Sequence, residues 1–121
     1  MDATYYQALE FCRRTTREEG IDAALTLPNG KKLSALLVPA NVGQVTNVAA
    51  QAGYPLLTIP AGTSDSTGMP FGLALMQTAW AESELVKWGS AIEDLMRKAG
   101  KGRTLPNWYE YRSKNVPVLN N

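Results

Sequence analysis

Residues 53–77 read GYPLLTIPAGTSDSTGMPFGLALMQ, two apolar runs that each follow a proline, with a polar loop between them. The first run is Leu56-Leu57-Thr58-Ile59 and the second is Phe71-Gly72-Leu73-Ala74-Leu75-Met76. Short apolar runs bounded by Gly and Pro predict buried strands. The linking Gly62-Thr63-Ser64-Asp65-Ser66-Thr67-Gly68 is rich in residues that turn a chain and reads as a solvated loop. This stretch predicts a β-hairpin, and the rest of the chain is read outward from it.

Upstream of the hairpin, Leu36 to Val38 predicts a strand closed by Pro39. Asn41-Val42-Gly43 then opens a loop, Gln44 to Ala52 predicts a helix, and Gly53 is placed to end it. Pro28-Asn29-Gly30-Lys31-Lys32 is a turn, since Pro presets one φ and Asn-Gly tolerates positive φ. Asp2 is placed to cap a first helix running toward Glu19, with Gly20 as its stop and Tyr5, Leu9, Cys12 and Thr16 at helical spacing. Ile21 to Leu27 then reads as a short helical or extended connection.

Downstream, Glu82 to Met96 predicts a helix with Leu85, Trp88, Ile92, Leu95 and Ala99 on one face. Glu82 and Glu84 at its start, and Arg97 and Lys98 at its end, suit the helix dipole. The order α-β-α-β-β-α places the chain in the α/β class, with helices covering part of a mixed sheet. The apolar runs do not alternate cleanly, which favours strands covered on both faces. Residues 1–121 read as one domain, with residues 101–121 as an irregular tail.

At 121 residues the chain is long enough for one core. Twelve Lys and Arg against eleven Asp and Glu give a net charge of +1, which supplies no general attraction to nucleic acid or anionic membranes. The single Cys12 suits a reducing compartment, no basic-then-apolar leader opens the sequence, and no run is long enough to span a bilayer. A cytoplasmic protein is the expectation.

The chain has no His, which excludes a Ser-His-Asp triad, a Cys-His pair and most zinc sites. No serine has a lysine three positions later. The run from Arg97 to Arg103 lacks the glycine and the hydroxyl that a phosphate loop requires, and reads as a basic helix end. Ser113-Lys114-Asn115 has a Ser-x-Asn form that carries little weight alone. Trp80, Trp88 and Trp108 lack the companion motif of a nucleic-acid stacking platform. No catalytic residue and no metal ligand is assigned.

Taken as a whole, Gly-Tyr-Pro, the apolar run, Pro-Ala-Gly, the loop, Gly-Met-Pro and Gly-Leu-Ala-Leu resemble the C-terminal part of the amidase signature family of serine hydrolases. Ser34-Ala35-Leu36-Leu37-Val38-Pro39 is similar to the family's apolar strand ending in proline, and Glu82 to Met96 to its following long helix. The segment from Trp108 to Val118 resembles the ending of fungal-type members. The resemblance implies a fragment of the amidase-signature mixed β-sheet, without the upstream Ser–cis-Ser–Lys triad. It implies carboxylic amide hydrolysis in the complete enzyme, no activity in this chain alone, and no cofactor.

The resemblance also implies a wall of the substrate channel at Asn41, Gln44, Val45, Thr46 and Ala49, acting by shape and hydrogen bonding. Alternatively, Asn41 and Thr46 satisfy turn and cap groups while Val45 packs in the core. The expected partner is the missing N-terminal amidase portion, or a second copy through dimerisation or swapping. A stand-alone noncatalytic binding or self-associating module is the competing class.

Overall fold

The computed structural model describes residues 1–101. The expected element order holds: α1 (Ala3–Thr16), β1 (Leu36–Pro39), α2 (Gly43–Ala52), β2 (Leu56–Thr63), β3 (Pro70–Met76) and α3 (Glu82–Lys98). The tail resemblance, Trp108, Ser113-Lys114-Asn115 and all but the first residue of the predicted tail lie outside the described residues.

The three strands form one sheet in the order β1-β3-β2, with both pairings antiparallel. The register puts Leu36, Met76 and Leu56 in one row and Leu37, Leu75 and Leu57 in the next. Side chains alternate between faces along a strand, so these rows serve opposite sides of the sheet. On one side Leu36, Val38, Leu56 and Met76 pack with Ile21, Leu25, Ala49 and Ala52. On the other, α3 lies over β2, and Gly89 brings the helix backbone close to Leu57 and Ile59. β2 is therefore covered on both faces, as the unbroken apolar runs predict, whereas Leu37 on β1 stays 57% exposed on the α3 side.

α1 begins where expected, with the Asp2 carboxylate accepting from the Tyr5 amide at 3.0 Å. Gly20 does not stop the helix. The chain continues through a π-helical turn at Arg17–Asp22. Thr15 Oγ1 donates to the Phe11 carbonyl at 2.8 Å and Thr16 Oγ1 to the Cys12 carbonyl at 2.7 Å, so two side chains engage the ladder where it widens. A Cβ at Gly20 would stand 2.7 Å from the Thr15 carbonyl oxygen, which explains a glycine inside the turn rather than after it.

Two predicted stripes are corrected. On α1, Tyr5 and Cys12 are exposed and only Thr16 of the four is buried. On α3, Leu85 and Gly89 are buried and Ile92 half-buried, whereas Leu95 is 65% exposed and Ala99 lies in the exposed end. Apolar spacing alone favoured Leu95. The inward face includes Gly89, where a Cβ would stand 2.6 Å from the Leu57 side chain.

α2 ends as predicted, at Gly53 in the left-handed conformation (φ 68°). The Arg17 guanidinium sits 5.8 Å from the Tyr54 ring and its Nε donates to the Ala52 carbonyl, tying the π-helical turn to the end of α2. The Asn29-Gly30 turn forms, with Gly30 donating to the Leu27 carbonyl at 2.8 Å and Asn29 Oδ1 accepting from the Lys31 amide. No helix among the described residues is long and apolar enough to cross a membrane.

Candidate functional site

The turn after β1 and the helix α2 carry the five residues expected to form a channel wall. Asn41 lies in the turn after β1, which is anchored by the Ala40 amide donating to the Gly72 carbonyl at 3.4 Å. Gln44, Val45, Thr46 and Ala49 occupy α2. Asn41, Gln44 and Thr46 are exposed and Val45 is half-buried, while Ala49 is 3% exposed and belongs to the core. The Thr46 hydroxyl donates to the Gly43 carbonyl at 2.9 Å, a local bond that fastens the first turn.

Gln44 and Val45 come together on one feature. They border an apolar groove of about 290 Å³ between the π-helical turn and α2, floored by Leu36 and Met76 and walled by Ile21 and Val48. Gln44 brings the groove's one polar side chain, and it carries no nucleophile. Such a surface can bury an apolar group and orient it with one amide. It cannot cleave a bond.

Beyond the Leu36–Met76 row of the sheet lies a polar cavity of about 430 Å³ for which no sequence pattern offers a signal. Asp22, Lys32, Gln77 and Thr78 face it, beside Leu25 and Leu33. The Tyr54 hydroxyl donates to Asp22 Oδ2 at 2.7 Å. Burial, then that bond, pushes the Tyr54 phenol above its ordinary 10.0, against smaller opposing contributions from Thr78 and Arg17. Gln77 is buried, its Nε2 donating to the Ser34 carbonyl and its Oε1 accepting from the Thr78 amide, each at 2.7 Å. Asp22 and Tyr54 stand 32 positions apart, so no local pattern joins them.

Lys32 is the one lysine seen bonded to a hydroxyl among the described residues, donating to Thr26 Oγ1 at 2.6 Å. The Thr26 hydroxyl in turn donates to the Asp22 carbonyl at 2.8 Å. Its proton is thus directed at a backbone oxygen and not at the lysine. The pair secures the bridge between Thr26 and Lys32 and does not prepare a nucleophile. No group of three or more His, Cys, Asp or Glu among the described residues is arranged to hold a metal ion.

The chain is similar in sequence to a Schizosaccharomyces pombe protein named as an amidase, with 48% identity over 95% of this chain and 20% of that protein. A glutamyl-tRNA(Gln) amidotransferase chain from Maricaulis maris is 31% identical over 89% of this chain and 24% of its own length. In structure the chain superposes on native peptide amidase from Stenotrophomonas maltophilia with a TM-score of 0.72 and 36% identity, covering 88% of this chain and 22% of that one. No family model matches. The chain spans between a fifth and a quarter of the length of these relatives.

Proposed function

This chain is related to the amidase signature enzymes over nearly all of its length and about a fifth of theirs, and from that premise we propose that it is the C-terminal structural portion of an amidase-type hydrolase. One observation carries the reading: the match fills this chain and leaves most of each relative unmatched. In the complete enzyme, carboxylic amides are hydrolysed by a serine and a Ser–Lys proton relay supplied by the other portion. This portion contributes three strands, their covering helices and one wall of the substrate channel. Asn41, Gln44 and Thr46 face the channel, Val45 gives it an apolar surface, and Ala49 seats α2 from behind. The cytoplasm, a reducing compartment that suits the unpaired Cys12, is where this reading locates it.

By itself the chain is expected to show no amide hydrolysis, because no activated nucleophile is present among its described residues. The test is turnover of acetamide, benzamide and C-terminal peptide amides by the purified chain, alone and co-expressed with the unmatched remainder of the S. pombe relative. Activity that appears only in the complex supports the reading. Turnover by the chain alone, abolished by substituting one of its own residues, overturns it.

A further inference from the structure

We infer, independently of the function proposed above, that the cavity faced by Asp22 and Lys32 is a binding site for a small zwitterion, an α-amino acid with an apolar side chain.

The cavity is lined by one acidic and one basic side chain that do not pair. The ion pairs among the described residues are Arg14–Glu19, Lys87–Glu84 and Arg97–Asp94, and neither Asp22 nor Lys32 takes part in one. Asp22 Oδ2 accepts the Tyr54 hydroxyl at 2.7 Å, whereas Oδ1 has no hydrogen-bond partner among the described residues. Lys32 Nζ donates to Thr26 Oγ1 at 2.6 Å, and an ammonium has further protons to give. The same Thr26 hydroxyl donates to the Asp22 backbone carbonyl at 2.8 Å. Lys32 is thus held beside the backbone of the residue whose carboxylate it does not reach. Opposite charges fixed on one cavity and short of contact are matched by a ligand that carries both, its ammonium toward Asp22 and its carboxylate toward Lys32.

The other lining residues narrow the class. Gln77 is buried and held by its bonds to the Ser34 carbonyl and the Thr78 amide, so it braces the wall. Leu25, 2% exposed, and the half-buried Leu33 supply an apolar surface for a side chain. The volume of about 430 Å³ falls within the usual small-ligand range of about 300–1,000 Å³. Asp22 is half-buried and Lys32 exposed, so solvent screens each contact and the ligand is held weakly.

The test is an NMR titration of the full chain with L-leucine, with leucinamide, which lacks the carboxylate, and with isocaproate, which lacks the ammonium. Leucine is expected to shift the Asp22, Lys32 and Thr78 amides saturably and to bind about fivefold more tightly than either analogue. Lys32→Met should weaken leucine about fivefold and leave leucinamide unchanged. Asp22→Asn should weaken leucine about fivefold and leave isocaproate unchanged. Circular dichroism checks both folds. Should Asp22→Asn unfold through its bond to Tyr54, the analogues on the native chain and Lys32→Met, at an exposed side chain, still decide. The inference is overturned by leucine that fails to saturate at about 10 mM, by equal binding of leucine and its analogues, by shifts confined to other residues, or by leucine binding that Lys32→Met leaves unchanged.

Discussion

Tyr54 joins the two halves of the polar end: its hydroxyl donates to Asp22 and its ring lies beneath Arg17. A hydrogen bond to a carboxylate contributes about 1.5–3 kcal/mol when buried and less at a half-buried site, so Tyr54→Phe should lower stability by about 1 kcal/mol in urea denaturation at neutral pH. The pH dependence has a definite sign. The folded phenol sits above its ordinary 10.0, so its contribution is complete below pH 10 and declines as pH rises through the folded value. Denaturation midpoints measured from pH 8 to 11 should fall for the native chain, and fall less steeply for Tyr54→Phe. Gly20 gives a second test at this scale. Forcing a Cβ against the Thr15 carbonyl costs about 1–3 kcal/mol, of which a helix-propensity gain of about 1 kcal/mol offsets only part. Gly20→Ala should therefore destabilise by about 1 kcal/mol, whereas an ordinary mid-helix Gly→Ala stabilises.

Among the elements, α3 separates what its sequence predicted from what its packing decides. Leu85 is 2% exposed and Leu95 65% exposed, although both lie on the face that apolar spacing selects. Leu85→Ala should cost about 2–4 kcal/mol, and Leu95→Ala less than about 0.5 kcal/mol, both read from thermal or urea unfolding. The strands, the Asn29-Gly30 turn, the Asp2 cap and the Gly53 terminus were legible because each depends on local chemistry. The continuation through Gly20 was not, because a π turn depends on carbonyl bonds made by Thr15 and Thr16, and glycine otherwise reads as a stop. At the site, the loop at Asn41 could be placed from Pro39 and the helix that follows. The polar cavity could not, since Asp22, Tyr54 and Gln77 meet only after three separate segments pack.

For the whole molecule, the sheet's central strand is also the last of the three in the chain. Among the described residues β1 and β2 each pair only with β3 and not with each other. During synthesis, then, Leu36–Pro39 and Leu56–Thr63 leave the ribosome before the strand with which both pair. At about 5–20 residues per second, the interval between completion of β1 and arrival of Met76 is roughly 2–7 s. Until then β1, and from Thr63 onward β2 as well, must wait for a partner that is still being translated. Ribosome-stalled chains long enough to have released Thr63 but not Met76 from the exit tunnel should bind holdase chaperones more strongly than chains that have released Met76, a difference measurable by site-specific crosslinking. The topology thus sets a timetable as well as a shape: the strand that finishes the sheet is the one for which the others must be kept from aggregating.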